Sequence, residues 1–265
     1  MKPLYRGACL AVLLALPLAG VPATSHAAPD MPGAPAECPP ATLPVPDLPH
    51  SRAAIEANHE LLIVALGSSS TEGWMSSSAA HTYPAQLQAD LSAELPQAHV
   101  AVINRGIGGQ DAVEEVARLQ ADVLAIRPQL VIWQVGANGA IQGVDPTVFR
   151  ARVIAGVHRL QLAGLDVILM DNQRSPDLLK TADSDKLDDV LAGVAHDLDV
   201  GLFPRAHLFD VWRDEGMPYA RFISPDGMHQ NDLGYACVSR ALAHVIAESL
   251  TRKHHLAAAA AAQSQ

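Results

Sequence analysis

LLIVALGSSSTEG, residues 61–73, passes without interruption from six apolar residues into a serine-rich turn. Unbroken apolarity over so short a run reads as a strand covered on both faces, because a half-exposed strand would alternate. Working outward, residues 100–103, 130–135, 167–170 and 200–203 have the same character. Helical patterns separate and follow these runs at 83–95, 112–126, 146–163, 186–198 and 233–250. Pro146 suits a helix start and Gly164 a helix stop. Repeated strand–helix alternation predicts a parallel sheet with helices on both faces, joined by right-handed crossovers. Ligands in such sheets bind beyond the carboxyl ends of the strands.

Four segments occupy or approach that rim. GSSSTEG (67–73), NRGIGGQ (104–110) and VGAN (135–138) follow the first three strands, and PDGMH (225–229) precedes the last helix. A serine at a strand-to-helix turn is exposed and brings its own N–H near a developing oxyanion, yet it needs a base to become a nucleophile. The same run also reads as a polar loop or helix cap. Gly106-Ile107-Gly108-Gly109 is not a dinucleotide fingerprint: it follows the second strand, and Asp111 stands where the third glycine belongs. Its glycines suit an anion-facing loop or a plain tight turn. Asn138 offers an amide donor, or is a turn asparagine. Asp226 and His229, three residues apart, let a carboxylate reach the near ring nitrogen while the far nitrogen points outward, the arrangement that orients a base; a turn Asp and a surface His share that spacing. Asn231 or Asp232 can cap the last helix without Asp226. No GxSxG elbow, HExxH pair or clustered His/Cys spacing occurs, so neither a metal nor an organic cofactor is expected.

In this order the motifs resemble the SGNH/GDSL hydrolase superfamily, over about residues 61–250. Gly67-Ser68-Ser69-Ser70 matches the first block and implies Ser69 as nucleophile. Asn104 to Gly109 matches the second, with Gly109 as oxyanion glycine. Gly136-Ala137-Asn138 matches the third, with Asn138 as side-chain donor, and Asp226 and His229 match the last. The resemblance implies an α/β fold, a flavodoxin-like three-layer α/β/α sandwich with a five-stranded parallel sheet. It also implies a serine esterase with Ser69, Asp226 and His229 as triad and Ser69, Gly109 and Asn138 as oxyanion hole. Two positions depart from the family pattern: Ser68 and Gly139 each stand where the family has Asp.

The remaining expectations concern setting and substrate. The chain has 265 residues, 49% hydrophobic and 17% charged, which suits one large domain. Residues 1–27 read as a secretory signal peptide, with Lys2 and Arg6 ahead of an apolar stretch and Ser25-His26-Ala27 as cleavage signal. Residues 28–55 are expected to be a Pro-rich arm, 56–253 the hydrolase domain and 254–265 an Ala-rich tail. Loss of the leader removes two positive charges, taking the net charge from −10 to −12 and arguing against nucleic acid as a partner. The mature chain would then be secreted or periplasmic, with no membrane span. Cys38 and Cys237 remain as a candidate disulfide or as two unconnected thiols. A bridge would stabilise by up to roughly 4–5 kcal/mol. Expected substrates are small acyl esters of a carbohydrate or similar alcohol. An acyltransferase on a glycan and a non-catalytic binding module remain as alternatives. Trp74, Met75 and Met228 either line the site or pack elsewhere. The oligomeric state is not legible.

Overall fold

The computed structural model describes residues 38–181 and 183–252; the expected leader at 1–27 and tail from 254 lie outside the described residues. The chain divides into Met1–Pro35, also outside them, and Ala36–Gln265, which carries the fold. In chain order the elements are α1 (Pro49–Asn58), β1 (Glu60–Gly67), α2 (Ser69–Glu72), α3 (Tyr83–Glu94), β2 (His99–Gly106), α4 (Ala112–Ala117), β3 (Leu130–Gln134), α5 (Ala137–Ile141), α6 (Pro146–Leu162), β4 (Asp166–Met170), α7 (Ser184–Asp197), β5 (Gly201–Phe203), α8 (Arg205–Asp214) and α9 (Asp232–Thr251).

All five strands pair in parallel in the order β2-β1-β3-β4-β5, the doubly wound arrangement expected. Alternate strand residues face opposite layers. Leu61, Ile63, Ala65, Leu130, Ile132 and Met170 join one buried cluster with α3, α8 and α9; Val64, Leu66, Val131, Trp133, Val167 and Leu169 join the other with α4, α6 and α7. Every one of these side chains is at least nine-tenths buried, and each Val, Leu, Ile or Met among them contributes about 1.5–3 kcal/mol by leaving water. Helix starts follow from local chemistry. The Asp145 carboxylate accepts the N–H groups of Thr147 and Val148 ahead of Pro146. Asp111 and Glu114 form a capping box on α4, and Asn231 caps α9 by accepting from Gly234 N.

Three expectations need correction. The boundary at residue 56 falls inside α1, and the chain before it is packed into the domain: Leu48, just ahead of the helix, is fully buried, and Ser51 in its first turn donates its N–H and hydroxyl to Asp166. The helix expected at 112–126 is two pieces, because Arg118 leaves helical geometry and spends its guanidinium on Gly67 O, Gln110 Oε1 and Asp122. Helix α8 was not expected at all; its Leu208, Phe209 and Trp212 fill the first cluster. Cys38 and Cys237 are bridged across a sequence separation of 199, tying the N-terminal segment to α9.

Candidate active site

Ser69 stands where β1 turns into α2. The Ser68 carbonyl accepts the N–H groups of Thr71 and Glu72 at 3.0 and 2.9 Å, which folds the short helix and points Ser69 outward from the sheet rim. Ser68 itself is buried, and both its N–H and its hydroxyl donate to Gln134 Oε1 on β3 at 3.2 and 3.3 Å. Its hydroxyl therefore serves as a donor strut beneath Ser69, a role the carboxylate found at this position in the family pattern could not fill.

His229 and Asp226 come from the turn before α9. Asp226 Oδ1 accepts from Ser224 Oγ, Met228 N and His229 N at 2.6, 2.9 and 3.0 Å, and its Oδ2 pairs with His229 Nδ1 at 2.6 Å. Burial opposes the charge on Asp226, but the hydrogen bonds from Ser224, His229 and the two backbone N–H groups outweigh it and hold the carboxyl well below the usual carboxylate range. A charged Asp226 makes Nδ1 the protonated ring nitrogen, leaving Nε2 as an acceptor. Nε2 lies 2.8 Å from Ser69 Oγ, across 160 residues of sequence. The turn is braced from outside: fully buried Arg205 donates to Gln173 Oε1 at 2.7 Å, and Gln173 Nε2 donates to the Met228 carbonyl at 2.9 Å.

The loop after β2 closes the other side. Asn104 donates to Thr71 O and accepts from Gly106 N, both at 2.8 Å. Gly106 approaches α2 so closely that a Cβ there would stand 2.0 Å from Glu72 N, which requires glycine. Gly109 adopts φ 82°, with nothing within 4 Å of where a Cβ would be. Neither Ser69 N–H nor Gly109 N–H has a hydrogen-bond partner among the described residues. Asn138, on α5, donates one amide N–H to Gln110 O at 2.8 Å, and its second amide N–H has no partner among the described residues. Gly139 follows it, and a Cβ there would meet Leu187 and Phe149 at 3.3 and 3.8 Å, so the family's Asp would face apolar side chains.

These groups line one cavity of about 220 Å³, with Ser69, Gly109, Asn138 and His229 joined by Ser70, Trp74, Ala137, Ile141, Gln173 and Met228. Of the three apolar residues suggested by proximity in sequence, Trp74 and Met228 line it and Met75 does not. A larger hollow of about 450 Å³ beside the Cys38–Cys237 bridge holds no paired nucleophile and base. Gln173 was missed in the sequence, although Asn172-Gln173 lies two residues beyond β4 on the same rim and was detectable by the same strand-end rule. Among the described residues no cluster of His, Cys, Asp and Glu is arranged to hold a metal ion, and no helix is long and apolar enough to cross a membrane.

The chain belongs to the non-GDSL lipase-like family, whose description matches residues 35–252. Its fold is that of the SGNH/GDSL hydrolases. Three solved structures illustrate the similarity. A two-domain esterase active on acetylated mannans, crystallised with mannopentaose, is 24% identical with a TM-score of 0.66, covering 78% of this chain and 55% of its own. A lipase/acylhydrolase from Enterococcus faecalis is 22% identical with a TM-score of 0.61, covering 73% of this chain and 99% of its own. A catalytic mutant of an acetylxylan esterase from Geobacillus stearothermophilus is 19% identical with a TM-score of 0.60, covering 74% and 98%. This chain thus spans about half the length of the two-domain esterase. A comparison with curated proteins finds no match.

Proposed function

We propose that the protein is a secreted serine esterase that removes small acyl groups from a carbohydrate through an acyl-enzyme. Ser69 Oγ attacks the ester carbonyl while His229 Nε2 takes its proton. Asp226 keeps the ring in the productive tautomer and offsets the imidazolium charge. The oxyanion rests against the N–H groups of Ser69 and Gly109 and the free amide N–H of Asn138. Collapse of the tetrahedral species breaks the ester bond, and His229 hands its proton to the departing alcohol. Water, deprotonated by the same nitrogen, then releases the acid and restores Ser69.

The observation that carries this reading is the unbroken relay Asp226–His229–Ser69, at 2.6 and 2.8 Å, ending beside two unpartnered N–H groups. The cavity of about 220 Å³ is smaller than the roughly 300–1,000 Å³ of typical small-molecule sites, which supports a short acyl group. Carbohydrate as the alcohol is supported by the acetylated mannan and acetylxylan esterases of the same fold. The Cys38–Cys237 bridge supports an oxidising compartment, in keeping with the leader read at residues 1–27. The test is hydrolysis of p-nitrophenyl acetate, butyrate and octanoate by wild type and Ser69→Ala. Serine-dependent turnover that declines with chain length is expected; turnover that survives in Ser69→Ala would overturn the assignment. Acceptor sugars added to the assay separate hydrolysis from acyl transfer.

A further inference from the structure

Trp74 is 51% exposed, whereas the other two tryptophans, Trp133 and Trp212, are essentially fully buried. A large aromatic face left in water beside a catalytic-type Ser–His pair needs a reason. We propose that the exposed indole face of Trp74 is the platform on which the ring of the leaving sugar alcohol rests, a reading that builds on the esterase function proposed above.

Position is the first support. The departing oxygen must receive its proton from His229 Nε2, so the alcohol leaves on the His229 side of the site. Trp74 is the ring that stands there, 5.5 Å from the imidazole between centroids and tilted by 42°. Trp74 and His229 line the same cavity of about 220 Å³, so a sugar ring on the alcohol side of the ester meets the indole.

Rigidity is the second. Trp74 Nε1 donates to Glu72 Oε2 at 2.8 Å, and the same oxygen accepts from Gly108 N at 2.7 Å. The indole lies over Gly108, where a Cβ would stand 3.0 Å from Cε2 and Cζ2. The Trp74 backbone is held at both ends: its N–H donates to Ser69 O at 3.0 Å, and its carbonyl accepts from Tyr235 Oη at 2.8 Å. One edge of the ring is therefore tied to the oxyanion loop and its backbone to the nucleophile, while a face stays open. A surface fixed before binding loses little entropy when the ligand arrives. The C–H faces of a pyranose match an apolar ring, and its hydroxyls stay in water.

The experiment compares two acetyl esters with one ester group each that differ only in the alcohol, a mono-O-acetyl methyl xyloside and ethyl acetate, on wild type, Trp74→Ala and Trp74→Phe. The platform predicts that wild type prefers the xyloside. In Trp74→Ala, kcat/KM on the xyloside should fall about tenfold more than on ethyl acetate, chiefly through KM, and Trp74→Phe should recover most of that difference. Equal losses on both esters would mean that Trp74 acts only by supporting His229, and would overturn the proposal, as would no loss on either. Trp74→Leu, which keeps bulk without an aromatic face, replaces the alanine variant if that variant does not fold, with the same expected difference. Failure of wild type to turn over either ester would overturn the esterase reading itself, an outcome distinct from turnover of both without a Trp74-dependent preference.

Discussion

Two sets of serine, histidine and aspartate are each joined by hydrogen bonds, and they differ in which member stands in the middle. In the first, His229 is the middle member, with Asp226 on Nδ1 at 2.6 Å and Ser69 Oγ on Nε2 at 2.8 Å. In the second, the serine is in the middle: Ser77 Oγ donates to Asp232 Oδ2 at 2.5 Å and sits 2.6 Å from His81 Nδ1. The single hydroxyl hydrogen of Ser77 goes to the carboxylate, so it is not directed at His81 Nδ1. The His81 side chain is 51% exposed against 12% for His229. The second set also ties the loop before α3 to the start of α9, since Ser77 N donates to Asp232 Oδ1. The difference teaches that a triad is an order of hydrogen bonds beside oxyanion donors, not a composition.

Replacing each serine should separate the two sets most sharply. Ser69→Ala is expected to lose a factor on the order of a million in kcat, as for a full triad, whereas Ser77→Ala should keep the wild-type order of rate and give up some thermal stability. Comparable losses on p-nitrophenyl acetate would erase the distinction. The aspartates come next. Asp226→Asn should cost about 10⁴-fold in kcat by favouring the wrong His229 tautomer, while Asp232→Asn should move Tm rather than kcat. Asn138→Ala should lower kcat by about 10²–10³-fold with a smaller change in KM, because its free N–H matters most once the oxyanion has formed.

A smaller effect contrasts charge at the site with charge in the core. Asp226 titrates below its unfolded value, so its stabilisation is present above that value and lost only as pH falls through the lowered one. Asp188 behaves oppositely: burial first, with Asp185 adding repulsion, outweighs the Asn172 N–H and the nearby guanidinium groups and raises it to about 7. Its folded form holds a proton that the unfolded chain releases near pH ~4, so its contribution to stability declines as pH rises from there to about 7. Asp188→Asn retains an oxygen for Asn172 N–H and should gain Tm relative to wild type at pH 8 but not at pH 4. A difference in Tm that does not change with pH would contradict this.

Much of the site was legible because its parts are local. Ser69, Gly109 and Asn138 each follow a strand, so topology carries them to one rim, and Asp226 and His229 need only a single turn to meet. The partner of Gln173, the part played by Glu72 and the role of Trp74 were not legible, since each acts by contacting another segment: Gln173 through Met228, Glu72 through Gly108, and Trp74 through His229. Helix α8, which follows β5 after Pro204 alone, escaped because its Leu208, Phe209 and Trp212 show their purpose only in the cluster they fill.

The sequence by itself determined the strand count, the parallel sheet and the residues at the strand ends, because apolar periodicity and turn chemistry are properties of neighbouring residues. Only the tertiary structure decided which serine faces a base, that Cys38 meets Cys237, and that residues 38–58 belong to the folded domain. Those outcomes depend on distances across as many as 199 residues, where burial and hydrogen-bond satisfaction are settled by the whole fold rather than by any segment.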